Sequence, residues 1–175
     1  QADSPERDEK LKQWLTARDT LVVWKKMAQN LKIDTENLDP KDFQSLEETI
    51  NRAGEFSKWC AENEEELKQI THLYLFEQNL TSLPPEIGKL TNLQHIHLWR
   101  NHLTKLPKEI FQLKSLTKLA LGVNQLTTLN PEIGKLSELR ELYLDLNPLQ
   151  QLPEELSNLN ALNKIYLDQA VRKTN

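Results

Sequence analysis

A chain of 175 residues with 38% hydrophobic side chains, 27% charged side chains and only four glycines is long enough to bury a core and far in composition from a disordered or collagen-like chain. Its single cysteine, Cys60, excludes an intrachain disulfide and favours a reducing compartment; no run of about 18 apolar residues marks a membrane-spanning helix and no stretch resembles a signal peptide. The net charge of −4 is unevenly spread, with 11 basic and 16 acidic side chains in residues 1–69 against 11 and 10 in residues 70–175, so neither half offers the basic surface that nucleic acid requires.

Residues 1–69 predict a small, acidic, all-α unit. Ser4-Pro5 supplies an N-cap and a first-turn proline, and Leu11, Trp14, Leu15, Leu21, Trp24, Ala28 and Leu31 recur near helical spacing, which predicts an amphipathic helix over 4–31. Asp39-Pro40 opens a second helix, with Phe43, Leu46, Ile50 and Ala53 along one stripe. Phe56, Trp59, Cys60 and Leu67 predict a shorter third helix after Gly54. Such a bundle serves as a cap for the segment that follows. With three tryptophans it is larger than a cap requires and also suits a docking or targeting role. The run Glu62, Glu64, Glu65, Glu66 reads as a solvated helix start. Cys60, set among apolar neighbours and followed by acids that raise its pKa, reads as a buried structural thiol rather than a nucleophile.

Residues 70–175 are organised by a repeat. Leu93, Leu116, Leu139 and Leu162 are each 23 residues apart, and Ile70 starts the series one period earlier. The units are 70–92, 93–115, 116–138, 139–161 and a partial fifth, 162–175. Each has the form Leu-x-x-Leu-x-Leu-x-x-Asn-x-Leu, as in Leu93, Ile96, Leu98, Asn101, Leu103, followed by a return leg such as Leu106-Pro107-Lys-Glu-Ile110-Phe-Gln-Leu113. Alternating leucines predict a short strand with one face inward. The asparagine turns the chain, and its amide can bond buried backbone of the neighbouring turn, so Asn101, Asn124 and Asn147 should form a ladder. Prolines at 84, 107, 131 and 153 make each return leg start extended, and Ile87, Leu90, Ile110, Leu113, Ile133, Leu136, Leu156 and Leu159 close the core from the convex side. One unit cannot bury its apolar face alone, so neighbours stabilise one another. The outer units depart from the pattern, with Gln78 and Ala170 at the asparagine position. The N-terminal edge is expected to lie under the helices. The C-terminal edge has no cap in the sequence, which predicts either a truncated array or self-association.

Over residues 70–169 this pattern closely resembles the leucine-rich-repeat family. The LPxEIGKL return leg is similar to the 23-residue class found in bacterial effectors and Ras-suppressor-like scaffold proteins. The resemblance implies an α/β solenoid: a short arc with a parallel concave sheet, preceded here by the all-α cap. Helices ahead of the repeats are likewise a feature of bacterial leucine-rich-repeat effectors. The implied location is cytoplasmic, or the cytosol of a host cell for a secreted effector.

Aligning the units places three columns of side chains on the concave face. The central column is Tyr74, His97, Ala120, Tyr143, Tyr166; beside it run His72, His95, Lys118, Glu141, Lys164, and on the other side Phe76, Trp99, Gly122, Asp145, Asp168, with Arg100 nearby. Exposed aromatics and arginine dominate protein interfaces. The candidate partner-binding residues are therefore His72, Tyr74, Phe76, His95, His97, Trp99, Arg100, Lys118, Glu141, Tyr143, Asp145 and Tyr166, with Ala120 and Gly122 expected to form a dip that admits a partner side chain. All four histidines lie in the first two units, on or beside this face. His72, His95 and His97 can converge, but no cysteine or carboxylate cluster completes a metal site, so they suit a polar or pH-sensitive contact better.

No Gly-rich phosphate loop, nucleophile elbow or Ser/His/Asp set is present, so the sequence calls for no cofactor and no catalysis in this chain. It predicts a protein-protein interaction module that docks a cellular or host protein on its concave face. Two alternatives stay open: the recognition half of a larger enzyme, such as a ubiquitin ligase whose catalytic domain follows the repeats, and a self-assembling protein.

Overall fold

A computed structural model of the chain describes residues 5–35, 38–39 and 45–168. The predicted cap Ser4, the Pro40 and Phe43 start of the second helix, Ala170 and the rest of the fifth unit to Asn175 lie outside those residues.

Helix α1 spans Pro5–Asn30. Of its predicted stripe, Leu21, Trp24 and Ala28 are buried, whereas Leu11 is 56% exposed; burial along the helix starts at Ala17. At 26 residues the helix is about 39 Å long and outruns the surface it packs on. Helix α2 spans Leu46–Glu62 and is capped by Ser45, whose hydroxyl accepts from the Glu48 N–H at 3.1 Å. The predicted break at Gly54 does not occur, and α2 continues through it. A glycine inside a helix costs about 1 kcal/mol, and here packing on α1 outweighs that: Trp24 lies 5.6 Å from Phe56 and 5.8 Å from Trp59, centroid to centroid. What remains of the third helix is one turn, α3, Glu64–Leu67, which buries Leu67. Cys60 is fully buried, and burial first, then Glu86, pushes its thiol pKa up to about 12.

Five three-residue strands follow: β1 His72–Tyr74, β2 His95–His97, β3 Lys118–Ala120, β4 Glu141–Tyr143 and β5 Lys164–Tyr166. They form one parallel sheet in chain order, each pair in register at the 23-residue interval. The inward residues Leu73, Ile96, Leu119 and Leu142 have no exposed surface; the equivalent Ile165 on β5 is 37% exposed. Pro84, Pro107, Asn130 and Pro153 are extended, and each leads into a 3-10 turn on the convex side: Pro85–Lys89, Lys108–Gln112, Pro131–Lys135 and Glu154–Asn158. The expected convex residues are buried except Leu156, which is half-buried. One apolar core runs without a break from Trp24 and Phe56 of the helices to Leu159. Among the described residues no helix is long and apolar enough to cross a membrane.

The asparagine ladder forms as expected. The Asn101 amide donates to the carbonyls of Leu75 (2.7 Å) and Leu98 (2.9 Å) and accepts from the N–H of Leu80 (2.9 Å). Asn124 and Asn147 repeat this one and two units on. At the first unit a residue of α1 does comparable work. Asp19 has no exposed surface, and its Oδ2 accepts from the N–H groups of Thr81 and Ser82, both at 2.8 Å, and from both hydroxyls. Arg18 binds the Asp19 carboxylate and donates to the Asn79 carbonyl.

Candidate binding face

The parallel register carries the face. Tyr74 pairs with His97, His97 with Ala120, Ala120 with Tyr143 and Tyr143 with Tyr166; His72, His95, Lys118, Glu141 and Lys164 align in the same way. Backbone bonding continues beyond the strands, with the N–H of Glu77 on the Trp99 carbonyl at 3.0 Å, Arg100 on Gly122 at 3.1 Å and Val123 on Asp145 at 2.9 Å. This keeps Phe76, Trp99, Gly122 and Asp145 abreast as the third column. Tyr74 and Phe76 are each 50% exposed, Tyr166 45% and Trp99 38%. The strands, not packing on a core, hold these rings at the surface, Tyr74, Phe76 and Trp99 towards one end of the sheet and Tyr166 at the other.

The two ends of the face differ chemically. At the N-terminal end His72 and His95 meet edge to face with centroids 4.3 Å apart, and His97 stacks on Tyr74 at 4.9 Å. Burial, then the neighbouring His72 and Lys118, holds the pKa of His95 below the ordinary imidazole value; burial, then Lys118 and the other histidines, does the same for His97. At the C-terminal end Tyr143 and Tyr166 stack nearly parallel at 4.5 Å. Lys118 sits 5.0 Å from the centre of the Tyr143 ring. Glu141 ties this end together: it pairs with Lys164 at 2.9 Å and Lys118 at 3.2 Å and accepts from the Tyr143 hydroxyl at 2.9 Å. Lys164 foremost, then Tyr143 and Lys118, hold its carboxyl pKa down to about 2.

The expected dip at Gly122 is filled from within. A Cβ on Gly122 would stand 2.6 Å from Cδ1 of Trp99 and 2.9 Å from the Asp145 carboxylate, so the missing side chain is what lets the indole lie against Gly122, just past β3. Arg100 caps that indole at 4.5 Å and pairs with Glu77 at 2.8 Å. His102 stands apart from the other histidines, in a hollow of about 940 Å³ between α1 and the first units that Leu11, Thr81 and Pro85 also line. Among the described residues no three His, Cys, Asp or Glu side chains are placed to hold a metal ion.

A fourth column went unread in the sequence apart from Arg100. Glu77, Arg100, Val123 and Leu146, each just before the ladder position, take φ of 53–55°, the left-handed region that favours glycine or asparagine. None of them is either, so residue type does not mark the column; only the 23-residue interval could. Leu146 is 62% exposed and adds an apolar side chain to the rim beside Asp145.

The family model for the leucine-rich repeat region matches residues 50–174, and the chain belongs to the leucine-rich-repeat family. Solved structures similar to it include a leucine-rich-repeat protein of Leptospira interrogans, 33% identical over 61% of this chain and 34% of that one, with a TM-score of 0.43. The BIR2 ectodomain of Arabidopsis thaliana is 28% identical over 55% of each chain, with a TM-score of 0.49. The Drosophila Toll–Spätzle complex is matched at 30% identity over 54% of this chain and 13% of that one, with a TM-score of 0.51. The chain thus spans between 13% and 55% of the length of these structures. No curated protein matches it.

Proposed function

We propose that the chain is a protein-interaction module that docks a folded protein on its concave face, acting by binding rather than by catalysis. The observation that carries this reading is the set of half-exposed rings along one parallel sheet, Tyr74, Phe76 and Trp99 at its N-terminal end and Tyr166 at its C-terminal end. Large rigid rings bury area at low entropic cost and form the anchors of protein interfaces. Similarity to the Toll–Spätzle complex, described as a molecular hub, supports the same use of the fold. The LPxEIGKL return legs and the helices ahead of the repeats support a narrower version, an effector whose partner is a host protein.

The test is the double variant Trp99→Ala/Tyr143→Ala. Both side chains stand on the face outside the apolar core, so partner capture should fall by at least about tenfold, equivalent to roughly 1.4 kcal/mol, while the melting temperature stays within a few degrees. Capture unchanged in a folded double variant would place the docking surface elsewhere.

A further inference from the structure

Three imidazoles and one ammonium group meet at the N-terminal end of the face. His72 and His95 touch edge to face at 4.3 Å, His97 stacks on Tyr74, and Lys118 is the register partner of His95 on β3. Thr71 just before β1, His72 and Tyr74 on β1, Lys118 on β3 and Glu141 on β4 are polar and titratable groups around this patch. Glu141, the carboxylate that faces Lys118, is already engaged by Lys118, Lys164 and Tyr143. Beside His95 opens a hollow of about 480 Å³ that Thr117, Lys118 and Arg140 also line, with Glu138 and Glu141 on the same wall. The patch therefore concentrates donors and latent positive charge next to a hollow large enough to take more than one side chain of a partner segment.

Building on the docking reading above, we propose that the partner seats a carboxylate-bearing acidic segment on His72, His95, His97 and Lys118, so that binding takes up protons and tightens on acidification. The charge pattern argues for this occupant. A basic segment would meet three imidazoles and an ammonium group, and every proton they gained would repel it. Burial and mutual repulsion hold His95 and His97 below the usual imidazole pKa, so both are neutral in the free protein near neutral pH. An incoming carboxylate favours the charged form and raises both values. Because the bound-state values lie above the free-state ones, affinity grows as pH falls through the bound-state values. It levels off below the free-state values.

The probe is hexaglutamate, with hexalysine as the control, and the readout is the NMR titration of each imidazole in the full chain at low salt. Millimolar hexaglutamate should raise the midpoints of His95 and His97 by about half a pH unit and leave the remote, exposed His102 unmoved; hexalysine should raise neither. In the His95→Gln/His97→Gln double variant, hexaglutamate affinity should lose most of its change between about pH 7.5 and 5.5. Unmoved midpoints, a His102 shift as large as theirs, or pH dependence retained in the folded double variant would overturn the proposal. Any of these outcomes leaves the Trp99/Tyr143 capture assay untouched, so failure of the acidic-segment idea and failure of the docking reading are separate results.

Discussion

The buried side chain of Asn124 contacts four backbone groups: its Oδ1 accepts from Leu103 N–H at 3.0 Å, and its Nδ2 donates to the carbonyls of Leu98 (2.9 Å), Leu121 (3.0 Å) and Gly122 (3.4 Å). Water does not reach these groups once the turn is packed, so no substitute partner exists. Each buried polar group left unpaired costs about 1–3 kcal/mol. Asn124→Ala is therefore expected to lower the unfolding free energy by about 3 kcal/mol in urea denaturation; a loss under about 1 kcal/mol would mean the ladder is not what joins the units. The role of Asn124 was legible because its amide recurs at a fixed interval and few side chains can both donate and accept at a turn. The residue before it was not. Val123 is held at φ 54°, a conformation that a β-branched side chain resists, and nothing in its identity announces it. Gly122 was read correctly as small, but its purpose was not: it makes room for the Trp99 indole, a contact across two strands that no local pattern encodes.

Between elements, the closest link of the helices to the repeats is polar. Asp19 reaches from α1 to the Thr81 and Ser82 amides, next to the Leu80 amide that the ladder serves through Asn101. Asp19→Ala leaves those donors and Arg18 without their carboxylate, and removing one partner of a buried charged network costs several kcal/mol. Hydrogen exchange at Thr81 and Ser82 should quicken by at least about tenfold, with the Leu126 amide on Asn147 little changed. Equal acceleration at both places would show instead that the whole array unfolds as one unit. Helical spacing revealed that α1 is apolar at Leu21, Trp24 and Ala28. It did not reveal a pairing 62 residues apart in sequence, because such a contact depends on how the helix is laid on the repeats. The same limit explains Gly54. Its local cost is visible in the sequence, whereas the packing of Trp24, Phe56 and Trp59 that overrides it is tertiary.

Across the whole molecule, a period of 23 residues converts a linear pattern into a surface. Leucines at one set of positions close a single core from the helices to Leu159, and the residues between them are forced into rows on one parallel sheet. That much followed from spacing alone. The crowding of histidines at one end of the face was legible too, whereas the tyrosine–glutamate end followed only from the distances, since Glu141 is bound to two lysines and a tyrosine. On the proposed reading a partner protein lies on this sheet and not on the convex turns. Placing a photo-crosslinking phenylalanine analogue at Tyr74 or Tyr166 on the sheet, and separately at the exposed Gln112 on a convex turn, tests it most directly. The same partner should be crosslinked from Tyr74 and Tyr166 and not from Gln112. Crosslinking from Gln112 with none from the two tyrosines would contradict it.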